Sequence, residues 1–381
     1  MSRSAKLLIV RETFGHMGDH SGYDFLCKHL QSAQLNPEFI WLKASWLTRL
    51  STPILRILRK LGVVNSPWFK GHNLRAEIEL IFRSRKSPAT VHILYGENNL
   101  GLLSNKMIKG QRKLVVSIHQ PASWWKERIR DLGGMFDSVD ALIVLSSAER
   151  EYFSTLTSAK VHFVPHGIDT NFYTPACREL SERNRELETI SCIFVGQWLR
   201  DFYTLHEVMR AISQRHLPIR FDIVVPRHPD MDPEILSLIE RIERYPFVSS
   251  HQHLTDEQLL VLYQGANVLV LPLTESTANN SILEGLACGL PIITTWTSGV
   301  RDYVDESCAM VLEQGDANGI VNAIMALGDN PARQEEMGRE ARKRAVSLFS
   351  WERVSQQIAA IYCDLNQQRP GTDQHEKAAH N

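Results

Sequence analysis

The chain has 381 residues, of which 43% are hydrophobic and 22% charged, a composition that excludes collagen-like, coiled-coil and wholly disordered chains. Its 42 basic and 43 acidic residues give a net charge of −1, which argues against general nucleic-acid binding through a basic face. No apolar run reaches the roughly 18–20 residues that a membrane-spanning helix needs, and the first residues lack the pattern of a secretory signal. The length indicates two domains, and we expect a cytoplasmic protein.

The six cysteines lie far apart in the chain and form no C-x-x-C pair. Disulfide frameworks and zinc sites both need closer, patterned ligands. We therefore expect reduced, mostly buried thiols and no metal bound through cysteine.

The first part of the chain alternates strand-like and helix-like segments. A buried strand is predicted at Lys6–Val10, followed by a glycine-containing loop and a helix over Tyr23–Leu30. Strand, glycine loop and helix are the opening of a doubly wound α/β domain. Further strand-length apolar runs follow, among them those around Ile93 and Val144. We predict an N-terminal Rossmann-like domain over residues 1–165.

The segment Val161–Pro175 breaks this alternation with prolines and glycine, which predicts an interdomain linker. A second alternation follows, with a strand at Ile190–Gly196 and a helix over Tyr203–Arg215. Two doubly wound domains that face each other across a cleft are therefore the predicted α/β architecture. The remaining boundaries are a C-terminal Rossmann-like domain over 166–349, a last helix over 350–366 and a disordered tail over 367–381.

The stretch from residue 39 to residue 76 contains seven basic residues and no acidic one, interleaved with apolar side chains that include Trp41 and Trp68. Such a pattern is typical of a helix at a membrane surface, where each basic residue contributes about 1 kcal/mol of attraction to anionic lipids. A core-packing helix with a basic outer face fits it equally well, and the sequence leaves both open. The first interpretation predicts peripheral attachment to the inner face of the plasma membrane through residues 41–75.

The segment Leu271–Asp302 contains the densest group of candidate ligand-binding residues. A strand that ends at Leu273 is followed by a polar loop and then by a helix that begins near Ser281. The N–H groups at a helix start favour an anion, so a phosphate is a natural ligand. Glu284, one turn into this helix, can accept hydrogen bonds from a ribose diol or interact with the helix dipole. Hydrogen-bonding groups for a sugar are offered by Glu275, Thr277, Asn279 and Asn280.

Six motifs together resemble the retaining GT-B glycosyltransferases of family 4. They occur in the family's order, span nearly the whole chain, and are GHMGDHSGYDFL, VSIHQ, VPHGIDTNFYTP, FVGQWLRD, LYQGANVLVLPLTESTANNSILEGLACGLPIITT and FSWERV. The resemblance implies the GT-B fold, in which two Rossmann-like domains face a central cleft and the last helix packs back on the N-terminal domain. It also implies sugar transfer from a nucleotide-diphosphate sugar, preferably a UDP-sugar, to a hydroxyl acceptor, with retention at the anomeric carbon and without a metal or cofactor.

The resemblance assigns donor binding mainly to the C-terminal domain. Glu284 matches the second glutamate of the family's E-x7-E motif, which binds the ribose. Eight residues earlier stands Ser276, so Glu275 is one residue out of register with the first glutamate, which contacts the donor sugar. Gln197 occupies a position where the family often has arginine, which leaves Arg200 to neutralise the diphosphate. The other expected donor-binding residues are Gly196, Asn279, and Asn280, Ser281, Ile282 and Leu283, whose four backbone amides would hold the distal phosphate and the sugar hydroxyls.

On the N-terminal side, Gly22 lets the backbone approach the diphosphate or marks a tight turn. His119 follows a strand end and matches the histidine that contacts the donor sugar in the family. His16 and His20 lie in the loop on the acceptor side, where either can contact the acceptor or a phosphate. His166 in the linker is expected to be a hinge residue. The predicted catalytic residues are His119, Arg200 and Glu275.

Two alternative functions stay open. A nucleotide-sugar epimerase on the same fold would bind the same donor but would need general acid–base carboxylates. A catalytically silent sugar-nucleotide binding protein is favoured by the displaced glutamate and the missing Arg/Lys pair. If the protein is a transferase, the basic stretch makes a lipid or a lipid-linked saccharide at the membrane surface the preferred acceptor.

Overall fold

The computed structural model describes residues 6–12, 20, 22–32, 35–42, 46–64, 66, 68–85, 88–129, 131–176 and 189–367. Within these ranges, twelve strands form two parallel sheets of six strands each. The fold is α/β, as the alternation of strand-like and helix-like segments predicts.

The N-terminal sheet has six strands, which are β1 (Lys6–Arg11), β2 (Glu38–Trp41), β3 (Ala89–Ile93), β4 (Lys113–Ser117), β5 (Ala141–Val144) and β6 (Lys160–Phe163). Their order is β2-β1-β3-β4-β5-β6, and every neighbouring pair is parallel. Along β1, Leu8 and Val10 contact one apolar cluster while Leu7 and Ile9 contact another. Helices therefore cover both faces of the sheet, as a buried parallel sheet requires.

The helices of this half are α1 (Leu26–Ser32), α2 (Trp46–Lys60), α3 (Gly71–Arg83), α4 (Gly96–Asn99), α5 (Lys106–Lys109), α6 (Ala122–Arg128), α7 (Leu132–Phe136) and α8 (Ser147–Ser154). Two 3-10 turns cover Tyr23–Phe25 and Leu102–Ser104. Several starts are capped by side chains; at α8, for example, the Ser146 hydroxyl accepts from the Glu149 N–H.

The C-terminal sheet has the strands β7 (Ile190–Val195), β8 (Ile219–Val224), β9 (Val248–His251), β10 (Val268–Leu271), β11 (Ile292–Thr295) and β12 (Ala309–Leu312). Their order is β12-β11-β10-β7-β8-β9, again all parallel. Read from β9, this is the doubly wound order of dinucleotide-binding folds. The helices are α9 (Phe202–Arg215), α10 (Pro233–Glu243), α11 (Asp256–Gly265), α12 (Asn280–Ala287), α13 (Val300–Tyr303), α14 (Ala317–Gly328), α15 (Pro331–Arg344) and α16 (Trp351–Gln367), with a π-helical turn at Ala345–Phe349.

The chain passes twice between the two halves. The segment Val161–Pro175, predicted as a linker, begins inside the N-terminal sheet, because β6 pairs with β5 and only the residues after it cross. The two crossings lie side by side, since the Ile168 N–H donates to the Phe349 carbonyl at 2.8 Å. Gly167 packs so closely against Trp351 that a Cβ atom would overlap the indole ring.

The last helix, α16, returns to the N-terminal sheet and packs on its inner cluster of apolar residues. The Tyr362 hydroxyl lies 2.5 Å from Nδ1 of His92, which is buried in β3. The predicted helix, 350–366, is shifted by one residue from the observed one, which begins at Trp351 and ends at Gln367. The rest of the predicted tail, 368–381, lies outside the described residues.

The basic stretch over 39–76 spans the end of β2, all of α2 and the start of α3. One side of α2 packs on the protein, with Leu55 buried in a small apolar cluster. The adjacent side is open, with Ile54, Ile57 and Leu61 exposed by 53%, 58% and 70%. The core-packing interpretation is therefore confirmed for one side of α2, and the membrane interpretation stays a prediction. Among the described helices, none combines the length and apolarity that crossing a bilayer requires.

Candidate active site

A cavity of 680 Å³ lies between the two halves and is lined by residues from both. Both sheets reverse their strand order beside it, between β1 and β3 and between β7 and β10. Ligands of open α/β sheets bind at the carboxyl ends of the strands at such reversals. We call the side formed by Gln197–Arg200 and Glu275–Asn280 the C-terminal wall, and the side formed by Tyr23, Trp68, Glu97, His119 and Trp124 the N-terminal wall.

Arg200 is fixed in the C-terminal wall by hydrogen bonds. Its Nε donates to the Val195 carbonyl at 3.0 Å, and Nη2 donates to the Ser281 hydroxyl at 2.9 Å and to Asn279 Oδ1 at 3.3 Å. Burial lowers the pKa of Arg200 to about 10, so the guanidinium is still protonated at neutral pH. A buried positive charge therefore lies at the start of α12.

Gly196 makes this position of Arg200 possible. It has φ of +93°, a conformation that residues other than glycine rarely adopt. A Cβ atom there would lie 2.5 Å from Arg200 Nη2. The glycine therefore provides both the turn after β7 and the space for the guanidinium.

Helix α12 begins at Asn280 because Asn279 caps it, with Oδ1 accepting from the Ile282 N–H at 3.2 Å. The Asn279 carbonyl also accepts from the Leu283 N–H at 3.1 Å. Of the four amides expected to hold a phosphate, those of Ile282 and Leu283 are thus already bonded. Within the described part of the chain, the amides of Asn280 and Ser281 have no such partner, so the expected four-amide site is narrower than the sequence indicates.

Glu284 is 3% exposed and lies behind the C-terminal wall, not on the cavity surface. Its carboxylate accepts from the Tyr263 hydroxyl at 2.7 Å and from the Tyr173 hydroxyl at 3.4 Å. Burial raises the pKa of Tyr263 well above its ordinary value, which keeps the phenol protonated as a donor. The binding of a ribose by Glu284 stays a prediction. Its hydrogen bonds with Tyr263 and Tyr173 also give Glu284 a structural role, which the sequence did not reveal.

The loop between β10 and α12 joins the two walls. Glu275 Oε2 accepts from the Ser123 hydroxyl at 2.6 Å, across 152 positions of sequence. The Thr277 hydroxyl donates to the His119 carbonyl at 2.7 Å. Glu275 and Ser276 both line the cavity, but Ser276, at the motif position itself, is almost fully buried.

In the N-terminal wall, His119 is paired with Glu97, a residue that the motif analysis missed. Nδ1 of His119 lies 3.2 Å from Glu97 Oε1, and the Tyr95 ring stacks on the imidazole at 4.6 Å. His119 Nε2 and Glu97 Oε2 are both buried and have no hydrogen-bond partner among the described residues. In the tautomer in which His119 Nδ1 carries the hydrogen and donates to Glu97, Nε2 is an acceptor. A buried acceptor without a donor costs free energy, so two of them at a cavity indicate a ligand that supplies hydrogens. The sequence contains one indication that Glu97 is functional. It lies in α4, the short helix that follows β3, and the strand order of the sheet reverses between β1 and β3.

Two other predicted residues, Gly22 and His20, lie away from the cavity surface. Gly22 has φ of +93° and starts the 3-10 turn, so its glycine is explained by backbone geometry. The His20 ring is 2.7 Å from Asp169 and stacks on Phe172 at 3.7 Å, which places it at the crossing between the halves and not in the cavity. His16 lies outside the described residues.

The predicted hinge residue, His166, lines the cavity beside Tyr23. Burial lowers its pKa to about 3, so the imidazole is neutral. A second cavity, of 440 Å³, is lined by none of the predicted site residues. No group of three histidine, cysteine or acidic side chains placed to hold a metal ion was found in the described ranges.

Residues 189–330 match the family model of the group 1 glycosyl transferases. The chain is 26% identical to the MMP alpha-(1->4)-mannosyltransferase of Mycolicibacterium hassiacum over 65% of its own length and 64% of that protein. It is 26% identical to the D-inositol 3-phosphate glycosyltransferase of Pseudarthrobacter chlorophenolicus over 65% of its own length and 61% of that protein. The chain thus spans less than two thirds of these relatives.

The structure resembles sucrose-phosphate synthase from Thermosynechococcus elongatus, with a TM-score of 0.72, 17% identity and coverage of 95% of this chain and 99% of that one. It also resembles Anabaena Alr3699/HepE in complex with UDP-glucose, with a TM-score of 0.68, 14% identity and coverage of 95% and 100%. The fold is therefore GT-B, as the motif resemblance implies. Residues 189–330 are thus similar in sequence to the group 1 glycosyl transferases, and the described structure is similar in fold to GT-B proteins.

Proposed function

We propose that this protein is a retaining glycosyltransferase that moves a sugar from a nucleotide-diphosphate sugar, preferably a UDP-sugar, to a hydroxyl acceptor. The observation that carries the proposal is the buried, protonated Arg200 held at the N-terminus of α12, on the wall of a cavity between two doubly wound halves. A cation and free helix amides together attract a diphosphate. The curated mannosyltransferase and the HepE complex with UDP-glucose support the same donor class.

In the proposed reaction, the bond between the donor's anomeric carbon and the diphosphate oxygen breaks, and a bond to the acceptor oxygen forms on the same face. The acceptor's proton passes to the departing diphosphate oxygen, and the nucleoside diphosphate leaves. Arg200 and the amides of Asn280 and Ser281 stabilise the negative charge that develops on the leaving group. On the opposite side, His119 Nε2 accepts a hydrogen bond from a hydroxyl of the donor sugar, which holds the anomeric carbon near the diphosphate.

Slow hydrolysis of the donor tests retention and metal independence without knowledge of the acceptor. The purified protein is incubated with UDP-glucose, UDP-galactose, UDP-N-acetylglucosamine and GDP-mannose, with EDTA or with added Mg²⁺, and the released sugar is followed by proton NMR. We expect the α-anomer to appear first from one donor, at the same rate in EDTA. First release of the β-anomer contradicts retention, and loss of the reaction in EDTA contradicts metal independence.

We further propose that the acceptor is presented at an anionic membrane surface, which α2 contacts. Ile54, Ile57 and Leu61 follow the i, i+3, i+7 spacing of one helix face, and no described residue covers that face. The basic residues Arg56 and Lys60 lie beside it, so the face combines apolar insertion with attraction to anionic headgroups. A lipid or a lipid-linked saccharide is the acceptor class that such a surface would serve.

Vesicle flotation tests this surface. Wild-type protein is expected to float with vesicles of phosphatidylcholine and phosphatidylglycerol at low salt, and less with phosphatidylcholine alone. Ile57→Glu removes an inserting side chain and adds a repelled charge, so it is expected to float at least about tenfold less. Val261→Glu is the matched control, because Val261 is also an exposed apolar side chain, on α11. Failure of the wild type to float, or equal loss in both variants, contradicts the membrane proposal.

A further inference from the structure

Two tryptophans form an aromatic surface in the N-terminal wall. Trp68 comes from the loop after α2 and Trp124 from α6, and their rings stack with centroids 4.4 Å apart and planes at 28°. Both are half-buried and line the cavity. The fully buried Trp125 meets Trp124 edge to face at 5.2 Å, so the pair rests on the core. The guanidinium of Arg128, which also lines the cavity, lies over the Trp124 ring at 5.1 Å from its centroid, so Trp124 is partly covered and Trp68 completes the platform. We call Trp68 and Trp124 the tryptophan platform.

A third tryptophan, Trp198, faces the same cavity from the C-terminal wall and is 55% exposed. Its Nε1 donates to the Gln120 side chain at 3.2 Å, and this hydrogen bond connects the C-terminal wall with the N-terminal half of the protein. Large aromatic surfaces left open in a cavity of ligand size indicate a ligand with an apolar face. The cavity therefore offers aromatic surface from both halves of the protein.

The polar atoms near the platform indicate what else this ligand carries. The cavity also contains the acceptor Glu97 Oε2, which is buried and has no donor in the described part of the chain. Glu97 is 5% exposed, so its free oxygen is closed to bulk water. A pyranose ring matches both features of the cavity. The C–H groups on one of its faces pack on the negative face of an indole, and the hydroxyl groups at its edge donate hydrogen bonds.

We propose that the tryptophan platform is an acceptor subsite that binds a pyranose ring. This inference rests on the proposed transferase function and narrows its acceptor: the unit that receives the sugar is itself a saccharide, so a lipid-linked saccharide fits and a lipid without a sugar does not. The platform belongs to the N-terminal half, whereas Arg200 and α12, the proposed diphosphate site, belong to the C-terminal half. An acceptor on the platform and a donor on α12 thus bind to opposite walls.

The platform is also connected to the proposed membrane surface. Arg59 of α2 donates from Nη2 to the Phe69 carbonyl at 2.8 Å, directly after Trp68. Phe69 itself is buried with Leu55 of α2 in one apolar cluster. A saccharide bound on the platform is therefore adjacent in structure to the helix that would contact the bilayer. This arrangement suits a glycolipid whose head enters the cavity while its lipid stays in the membrane.

Saturation-transfer NMR tests the platform with simple probes. The full-length protein is mixed with methyl β-D-glucopyranoside, methyl β-D-galactopyranoside or methyl α-D-mannopyranoside, and the aromatic protons of the protein are saturated selectively. We expect transfer from the indoles to protons on one face of at least one of these rings. Trp124→Ala and Trp68→Ala are expected to weaken binding of that glycoside by about tenfold, and Trp124→Phe to restore part of it. Trp296→Ala is the control, because Trp296 is 53% exposed and does not line the cavity.

A parallel thermal titration with UDP separates this inference from the proposed function. Glycoside binding that is lost in Trp124→Ala while UDP still stabilises that variant supports the platform as an acceptor subsite. Glycoside binding without any UDP binding supports the subsite but contradicts the proposed donor site. The platform inference is overturned if none of the glycosides receives saturation, if Trp296→Ala loses as much transfer as Trp124→Ala, or if UDP displaces the glycoside and loses its own binding in Trp124→Ala.

Discussion

The C-terminal wall and the N-terminal wall of the cavity are built in different ways. In the C-terminal wall, the hydrogen-bonding groups are largely matched within the protein: Arg200 has four hydrogen bonds and Asn279 caps its own helix. In the N-terminal wall, Glu97 and His119 each keep a buried polar atom without a partner among the described residues, next to two half-buried tryptophans. The first wall is preorganised for an anion of fixed shape, whereas the second is completed only by its ligand. This difference fits the proposed reaction, in which the C-terminal wall binds the diphosphate of the donor and the N-terminal wall binds the acceptor.

The largest expected effect comes from removing Arg200, the positive charge of the C-terminal wall. Arg200→Ala leaves the diphosphate without its cation, and we expect the turnover number to fall by about 10²–10³-fold, as when a preorganised donor to a developing anion is lost. Arg200→Lys should recover only part of this, because an ammonium cannot reproduce the guanidinium's hydrogen bonds. The turnover numbers of both variants are measured by steady-state kinetics, with the donor that the hydrolysis experiment identifies. Arg215→Ala, at an exposed arginine on α9, is the control, and an equal loss in that variant would contradict the assignment.

A smaller effect is expected in the N-terminal wall. Glu97→Gln keeps the size of the side chain but removes the carboxylate that orients His119, so we expect turnover to fall by about 10- to 100-fold, the worth of one charge-assisted hydrogen bond. Donor affinity in a UDP titration should stay within about twofold. Glu149→Gln is the matched control, because Glu149 also has a buried oxygen without a partner among the described residues but does not line the cavity. Equal kinetics for Glu97→Gln and wild type would show that the pairing has no role in turnover.

The two walls should also differ in their response to acid, because the N-terminal wall is backed by His92. Burial lowers the pKa of His92 to about 3, below its ordinary value of 6.5, so between these values the unfolded chain binds more protons than the folded protein. The free energy of unfolding should therefore fall as the pH is lowered through this window, by up to about 1.4 kcal/mol per pH unit. His92→Gln can keep hydrogen bonds to Tyr362 and Ser117 without titrating. Urea unfolding at pH 7, 6 and 5 should give a shallower pH dependence for this variant, and parallel curves would contradict a buried neutral histidine.

The smallest effect separates crowding from backbone strain in the C-terminal wall. Gly196 and Gly315 both have positive φ, of +93° and +82°, but only Gly196 would bring a Cβ atom against Arg200, whereas nothing lies within 4 Å at Gly315. Substitution by alanine at either position should therefore lower the free energy of unfolding by about 1 kcal/mol through backbone strain. Gly196→Ala should additionally weaken UDP binding, because the guanidinium must move. Thermal unfolding with and without UDP measures the two contributions, and unchanged UDP affinity in Gly196→Ala would remove the proposed role of this contact.

Sequence alone predicts the C-terminal wall better than the N-terminal wall, for a physical reason. A strand, a polar loop and a capped helix follow one another within Leu271–Asp302, so this site is formed by local structure that a motif records. Arg200 could be proposed from its place after β7, although its partners Asn279 and Ser281 lie about eighty positions away. The narrowing of the amide site by Asn279 depends on cap geometry, which residue types alone do not reveal.

The N-terminal wall depends on contacts between segments that are distant in sequence. Trp68 looked like part of a membrane-facing stretch, yet its ring stacks on Trp124, fifty-six positions later. His20 looked like an acceptor contact, yet it pairs with Asp169 at the crossing. Glu97 belongs to no motif and acquires its meaning only beside His119. Such pairs are set by the sheet order, which composition and periodicity do not determine.

The most direct test of the account is a thermal titration of wild type and Arg200→Ala with UDP, GDP, ADP, dTDP and UMP. The account predicts that one nucleoside diphosphate stabilises the wild type, by about 2.7 kcal/mol at a hundred times its dissociation constant. It also predicts that the matching monophosphate stabilises much less, and that Arg200→Ala loses most of the difference between them. If no diphosphate stabilises the wild type, or if Arg200→Ala responds as the wild type does, then the cavity between the two walls is not a nucleotide-diphosphate site of the kind proposed.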